Sequence, residues 1–234
     1  MIATNIPHYD VIIIGSGSTG TPAAFSMVQA GLKVLVLDQC SSVGQESNKK
    51  AIGGIRATHS DPAKIRLCLR SIEIFSTWKE TYGDDIEWYK GGYAFPAYRE
   101  REEKILKDLL VTQKSYGLNI DWLNKDQMLA VAPDLNTENL LGGTFSPEDG
   151  SASPLLAAHA FFRQALKRGA EFRFNEPVEE ILLQGGRIAG VRTRHGTYCA
   201  DVVVNAAGAW ANPIGKMVGL DLPVRPDSHE AAIT

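Results

Sequence analysis

The first forty residues alternate short apolar runs with glycine-containing stretches. Residues 11–14 form a continuous β-branched run, which is typical of a central parallel strand buried on both faces. Residues 18–31 predict a helix that ends at Gly31, and residues 33–38 predict a second apolar strand. These segments form a strand–helix–strand unit, for which a parallel, right-handed connection is expected.

The middle of the chain is less regular. Residues 40–60 are polar and lack periodicity, so they predict a long loop of the kind that often carries function. Residues 61–83 predict one helix that closes at Gly83, and residues 100–117 predict a second amphipathic helix. Residues 86–97 and 139–150 have strand composition, the first interrupted by two glycines and the second followed by a turn.

Another helix followed by strands occupies the last third. Residues 154–169 predict a helix that begins at Pro154. Its expected buried stripe consists of Leu155, Ala158, Phe162 and Leu166, with His159 packed on the same face. Residues 170–174, 177–184, 187–194 and 196–208 predict strands, and hairpin-like turns at 185–186 and 195–196 separate the last three.

The turn after the first strand carries the main chemical signal. Its glycines are spaced Gly15-x-Gly17-x-x-Gly20, and Asp38 ends the next strand 23 residues after Gly15. This context predicts a dinucleotide site: the glycines allow a tight turn and a close backbone approach, and the acidic residue can accept hydrogen bonds from ribose hydroxyls. An ordinary glycine turn in an α/β sheet is the alternative.

Composition narrows the possible classes. The 234 residues carry a formal net charge of −3 with scattered Lys and Arg, which does not favour nucleic acid or an anionic membrane. Three distant cysteines show neither metal spacing nor a disulfide framework, so no metal site is expected. No secretory signal and no membrane-spanning stretch is visible, and a cytoplasmic location is expected.

The choice of dinucleotide depends on the rest of the chain, where a family resemblance appears. The segments "DVIIIGSGSTG", "VLVLD", "GGIRATHSDPAKIRL", "GGYAFPA", "DGSASPLLAAHAF" and "VVNAAGAWA" occur in this order. Together they resemble the D-amino-acid oxidase-like FAD-dependent oxidoreductases, in the branch of glycine oxidase and of the sarcosine oxidase and proline dehydrogenase β-subunits. The resemblance covers nearly the whole chain, and it implies that a C-terminal part of the family fold is missing.

The resemblance implies an α/β fold, with a Rossmann-like FAD-binding domain of the GR2 type interwoven with a partial α+β substrate domain. The FAD-binding domain is expected over residues 1–85 and 147–215, and the substrate domain over 86–146 and 216–234. FAD is the implied cofactor. Carried over residue by residue, its site comprises Gly15, Gly17, Ser18, Thr19, Gly20, Asp38, Gln39, Ser47, Asn48, Lys49, Lys50, Ala51, Ile52, Gly53, Gly54, Val178, Ala206, Ala207, Gly208 and Trp210.

Some of these assignments have a structural alternative. Lys49 and Lys50 fit a loop along the flavin, and they fit a solvated loop equally well. Arg56 is the substrate candidate, because an arginine just after this loop grips the substrate carboxylate in sarcosine-oxidase-like members. Its alternative role is a structural ion pair at a helix start. Trp210 fits a core aromatic as well as a residue beside the cofactor.

Family chemistry is hydride transfer from a C–H bond next to nitrogen to flavin N5, so no catalytic residue is assigned. Covalent FMN is not expected, because the segment around Ser153 lacks the histidine that carries it. The implied function is oxidation of the C–N bond of an amino acid or N-alkyl amino acid of the glycine, sarcosine or proline type.

Three other functions stay open at this point: an NAD-dependent dehydrogenase, an aromatic hydroxylase, and a nucleotide-binding subunit or fragment that works only with a partner. The implied partners are a small amino-acid or amine substrate and, for a hetero-oligomeric dehydrogenase or oxidase, further subunits.

Overall fold

A computed structural model describes residues 6–227 as a mixed α/β protein. The strands are β1 (His8–Ile14), β2 (Val34–Leu37), β3 (Gly54–Ile55), β4 (Tyr93–Ala97), β5 (Asp121–Asn124), β6 (Gly142–Ser146), β7 (Gly150–Ser151), β8 (Glu171–Arg173), β9 (Val178–Gln184), β10 (Arg187–Thr193) and β11 (Gly196–Asn205). The helices are α1 (Gly20–Gln29), α2 (Pro62–Ser76), α3 (Trp78–Tyr82), α4 (Glu100–Ser115), α5 (Lys125–Val131), α6 (Pro154–Lys167) and α7 (Ala211–Lys216). Short 3-10 turns cover Asn48–Lys50 and Gly208–Trp210.

The described residues group into two compact units. The first unit contains the chain up to Ile52 and from Pro154 onward, and the second contains residues 53–153. The domain boundaries expected from the sequence differ from this division, because residues 216–227 group with the first unit and residues 53–85 and 147–153 group with the second unit. The latter two segments do so because β3 pairs with β7 and α2 contacts both α3 and α4.

A six-stranded sheet with the order β8-β2-β1-β11-β10-β9 organises the first unit. Neighbouring strands from β8 to β11 run parallel, and β10 and β9 continue as antiparallel hairpins. The central strand β1 lies between β2 and β11, with Val11 in register with Val34 and Val202. Its last four residues are buried, as the continuous apolar run predicted.

Helices α1 and α6 pack against each other within the first unit. The expected stripe on α6 was wrong at Leu155 and Leu166, which are about two-fifths exposed. The buried face instead carries Ala157, Ala158, Ala160, Phe161, Gln164 and Ala165. Small residues on this face allow α1 to come close, and the rings of Phe25 and Phe161 meet edge to face at 5.6 Å. His159 is exposed rather than packed.

The second unit contains a three-stranded antiparallel sheet with the order β4-β6-β5 and a two-stranded pair, β3 and β7. The helix predicted over residues 61–83 divides at Thr77 into α2 and α3, and Gly83 closes α3 in the left-handed conformation as predicted. The short strands β3, β5 and β7 and the helix α5 were not predicted. Their apolar patterns span only a few residues each, which is too little for periodicity to show.

Within the described residues, no helix is long and apolar enough to cross a membrane. The cysteines Cys40, Cys68 and Cys199 are free thiols.

The buried position of β1 leads to a stability prediction. Ile13 is fully buried, so Ile13→Ala should lower the free energy of unfolding by about 3 kcal/mol, because it leaves a cavity between packed layers. Urea unfolding followed by circular dichroism measures this change. Val202→Ala is the control, because Val202 belongs to the same sheet and is 48% exposed; its effect should stay below about 1 kcal/mol. Equal losses in both variants would contradict the proposed role of β1 as the core strand.

Candidate functional site: a nucleotide groove at the end of the parallel strands

The three glycines that follow β1 have three different surroundings. Gly15 adopts a φ of 104°, and a Cβ placed there would lie 2.5 Å from the carbonyl oxygen of Ala206. A Cβ on Gly20 would overlap the carbonyl oxygen of Gly15. Gly17 is different, because a Cβ there would meet no atom within 4 Å. The first and third glycines are therefore needed for packing, whereas the second leaves the backbone open on one side.

The turn leads directly into the N-terminus of α1. Thr19 occupies the N-cap position without a side-chain cap, and the first turn of the helix contains no acidic residue. The positive end of this ten-residue helix is therefore not neutralised by its own sequence. Such an end, next to an open glycine backbone, suits a phosphate group.

Asp38 at the end of β2 braces the glycine turn. Its Oδ2 accepts hydrogen bonds from the backbone amide and the hydroxyl of Ser16, both at 2.6 Å. Its Oδ1 accepts one from the amide of Cys40 at 2.8 Å. The carboxylate is thus held in place by three donors, and Oδ1 retains a lone pair for a further hydroxyl.

A groove of about 850 Å³, open to solvent, runs along these elements. Its walls include many of the predicted positions, namely Gly15, Gly17, Ser18, Thr19, Asp38, Gln39, Ser47, Asn48, Val178, Ala206, Ala207, Gly208 and Trp210. Trp210 is 41% exposed at the groove, so the core-aromatic alternative does not describe it. Among the described lining residues there is no lysine or arginine, so an anion there would depend on backbone amides and the helix end.

Other predicted positions lie outside the lining. Gly20 is enclosed behind the turn, and Lys49, Lys50, Ala51 and Ile52 are exposed next to the groove. The Lys49 ammonium donates to the side chain of Gln45 at 3.1 Å. Gly53 and Gly54 belong to the second unit.

The loop before these residues is tied to α6. Asn48 is buried, and its side-chain amide donates to the carbonyl of Pro154 at 3.0 Å. A Cβ on Gly44 would crowd this amide at 2.9 Å, so the loop closes over a glycine with a φ of 71°. Asn48 therefore fixes one wall of the groove from inside the first unit.

Several lining residues were not predicted from the sequence, among them Ser16, Cys40, Gln45, Glu46, Glu176 and Pro177. Ser16 lies within the glycine motif, so its position there was an available signal. Glu176 had no such signal in the sequence, because it lies far from the turn. It is 5% exposed, and its Oε1 accepts hydrogen bonds from Tyr198 at 2.6 Å and Thr193 at 2.8 Å.

The buried carboxylate of Glu176 is part of a hydrogen-bond network that supports the wall of the groove formed by Glu176, Pro177 and Val178. The hydroxyl of Tyr198 also accepts a hydrogen bond from Arg173 at 3.0 Å. Burial, together with the bond to Glu176, raises the pKa of Tyr198 to about 12. The backbone amide of Glu176 donates to the carbonyl of Asp38 at 2.8 Å, which joins this wall to the end of β2.

Arg56, the substrate candidate, lies in the second unit and is half-buried. Its Nη1 donates to the carbonyl and, at 3.4 Å, to the hydroxyl of Thr58. Its guanidinium stacks over the rings of Tyr93 at 5.8 Å and Phe95 at 5.4 Å. Within residues 6–227 it forms no ion pair, so the alternative of a structural ion pair is not what the structure contains.

A parallel sheet, a glycine turn at an uncapped helix and an acidic residue ending the second strand define a dinucleotide-binding protein of the Rossmann class. Within that class, the family described as FAD dependent oxidoreductase matches residues 10–234, and the chain belongs to this family. The expected family and cofactor are thereby confirmed.

Individual relatives agree. The chain is 28% identical to glycine oxidase from Bacillus licheniformis, with 95% of this chain and 60% of that protein covered. It is 26% identical to human mitochondrial sarcosine dehydrogenase, with 96% and 25% covered. The structure of L-proline dehydrogenase from P. horikoshii superimposes with a TM-score of 0.87 at 29% identity, covering 92% of this chain and 57% of that one. The chain thus spans between a quarter and three-fifths of the length of these relatives.

The residues of the groove fit FAD. An open position at Gly17 and the uncapped end of α1 suit its pyrophosphate, and Asp38 suits a ribose. The absence of cations among the described lining residues disfavours the extra phosphate of a 2′-phosphorylated dinucleotide.

Two substitutions can distinguish the roles of Gly17 and Gly20. Gly17→Ala should leave the free energy of unfolding within about 1 kcal/mol of the wild type, because its Cβ enters open space. It should raise the Kd for FAD about tenfold or more, because the Cβ would occupy the space in which the pyrophosphate would approach the backbone. Gly20→Ala, the contrasting variant, should lower the free energy of unfolding by about 3 kcal/mol through its overlap with Gly15. Flavin fluorescence titration and urea unfolding measure both quantities; unchanged FAD affinity in Gly17→Ala would contradict the assignment.

Cys40 provides a probe of the groove that needs no substitution. Burial, followed by the charges of Asp38 and Glu46, raises the pKa of its thiol to about 11. A raised pKa means less thiolate at a given pH, so alkylation of Cys40 by iodoacetamide at pH 8 should be roughly a hundredfold slower than for an ordinary cysteine and should accelerate only as the pH approaches 11. Peptide mass spectrometry after timed labelling measures this rate, with the urea-unfolded protein as the reference. Equal rates in folded and unfolded protein would show that the thiol does not experience these surroundings.

Proposed function

We propose that the protein oxidises the C–N bond of an amino acid or N-alkyl amino acid of the glycine, sarcosine or proline type. The observation that carries this proposal is a family-matched FAD groove in a chain whose candidate substrate residue, Arg56, has an unpaired guanidinium. The printed names of the relatives support the substrate class, since they include glycine oxidase, sarcosine dehydrogenase and L-proline dehydrogenase.

The proposed FAD site consists of the glycine turn, the end of β2, the loop at residues 45–48 and the strand ends at Val178 and Ala206. Bound there, FAD would supply the chemistry, because its isoalloxazine ring accepts a hydride from the carbon next to the substrate nitrogen. The chain's own residues would orient the dinucleotide: Asp38 would hold a ribose, and the N-terminus of α1 would hold the pyrophosphate. No side chain is assigned a proton-transfer step.

Arg56 is proposed to bind the substrate carboxylate. Its hydrogen bonds to Thr58 use Nη1, and the edge formed by Nε and Nη2 makes no hydrogen bond within the described chain. That edge carries the two parallel N–H groups that match a carboxylate. Stacking on Tyr93 and Phe95 holds the plane of the guanidinium, which limits the entropy lost on binding.

The direct test is anaerobic reduction of the flavin. Glycine, sarcosine and proline are added separately to the flavin-loaded full-length protein, and at least one should bleach the visible flavin band. Arg56→Ala should raise the KM for that substrate roughly 10- to 100-fold, because a charged hydrogen-bonded pair is lost. The KM of Arg56→Lys should lie between those of the wild type and Arg56→Ala, since an ammonium keeps the positive charge but lacks the two parallel N–H groups of a guanidinium.

Arg99→Ala is the matched control, because Arg99 lies in the same unit and is 82% exposed. It should leave the KM unchanged. Flavin that is reduced by NADPH and by none of the amino acids would favour a hydroxylase instead. Reduction that appears only after a second protein is added would favour a partner-dependent subunit.

A further inference from the structure

A buried carboxylate contacts the segment that carries Arg56. Asp149 precedes β7 and is 0% exposed. Its Oδ1 accepts a hydrogen bond from the backbone amide of Ala57 at 3.0 Å. Its Oδ2 is buried without a hydrogen bond of normal geometry, and so is the hydroxyl of Ser146.

This carboxylate is costly for the fold. Burial raises the pKa of Asp149, opposed by the amide of Ala57 and by the nearby Thr58 and Ser146. Within residues 6–227, Asp149 forms no ion pair that would offset its desolvation. An apolar side chain would avoid that cost, but it would leave the buried amide of Ala57 without an acceptor, so the bond to Ala57 is the contact that accounts for a carboxylate at this position.

The contacts of Asp149 lead to Arg56 in two steps. β3 pairs with β7 through Gly54 and Ile55, and the bond from Ala57 to Asp149 extends this pairing beyond the end of β3. Arg56 therefore lies between two fixed points of its own backbone. The next residue, Thr58, accepts the hydrogen bonds of the guanidinium.

The charges of Arg56 and Asp149 act on the same neighbouring groups. Burial lowers the pKa of His59, the charge of Arg56 lowers it further, and the charge of Asp149 raises it. Both charges are therefore felt at one imidazole. The same pair acts in opposite directions on the thiol of Cys68.

We propose that Asp149 is a positioning residue for Arg56: by accepting the amide hydrogen of Ala57 it fixes the 56–58 backbone, and thereby aims the Nε–Nη2 edge of the guanidinium at a substrate carboxylate. This inference rests on the proposed function of Arg56. It assigns to Asp149 no contact with substrate and no proton transfer.

The test uses acetate as a carboxylate probe and acetamide as its neutral counterpart. Each is measured as an inhibitor of flavin reduction in the flavin-loaded full-length protein. Asp149→Ala should weaken acetate inhibition about tenfold and leave acetamide inhibition unchanged. The reason is that the substitution changes the orientation of the guanidinium but not the shape of the pocket. Asp149→Asn should stay within about threefold of the wild type, since its amide oxygen can still accept from Ala57.

A double substitution shows whether the effect passes through Arg56. In the Arg56→Ala background, Asp149→Ala should produce no further loss of acetate binding. An equal loss in both backgrounds would overturn the proposal, because Asp149 would then act independently of Arg56. Thr144→Ala is the matched control: it removes a buried hydroxyl of β6 in the same unit and leaves the bond from Ala57 to Asp149 intact, so it should leave acetate inhibition unchanged.

Two outcomes separate this inference from the proposed function. If Arg56→Ala does not weaken acetate inhibition, the substrate role of Arg56 is wrong and the positioning role fails with it. If Arg56→Ala weakens it and Asp149→Ala does not, the positioning role alone is wrong. Should Asp149→Ala fail to fold, Asp149→Ser carries the same expectation, because its hydroxyl is too short to reach the amide.

Discussion

The first unit depends on a close approach between backbones at the end of β1. Gly20 begins α1 directly against the carbonyl of Gly15, and Gly15 lies against the carbonyl of Ala206 at the end of β11. A side chain at either glycine would separate the helix from the sheet. Because these contacts leave no room, the end of α1 is held at the edge of the sheet where two parallel strands terminate. The groove is a consequence of that constraint.

The remaining walls are attached to the same edge by hydrogen bonds. Asp38 is tied to Ser16 on one side, and its carbonyl accepts the amide of Glu176 on the other. Glu176 is in turn held by Tyr198 and Thr193 in the antiparallel part of the sheet. These links run from the end of β2 through Glu176 to β10 and β11, which come later in the chain. Hydrogen bonds between segments distant in sequence therefore hold the base of the nucleotide groove, whereas Lys49 and Lys50 lie in an exposed loop beside it.

Much of the first unit could be predicted because its signals are local. The β-branched run, the glycine spacing and Asp38 all lie within residues 11–38, and they require the surroundings that the structure contains. The buried face of α6 could not be predicted in the same way. Its alanines are small because α1 lies close, and a scale that rewards large apolar residues favours Leu155 and Leu166 instead. The roles of Glu176 and Asp149 were not predicted for a related reason. The partners that show a carboxylate to be buried and hydrogen-bonded lie far from it in sequence.

The two units offer different kinds of groups to a negatively charged ligand. In the first unit, backbone amides and a helix end face the groove, and these dipoles do not titrate. In the second unit, the Arg56 guanidinium has an edge without a hydrogen bond, and the buried carboxylate of Asp149 contacts the backbone next to Arg56 rather than the guanidinium. Direct pairing would have been the cheaper arrangement for two opposite charges in one compact unit. Separating them by a backbone amide keeps the guanidinium edge free while its position stays fixed, which is what recognition of an external carboxylate requires.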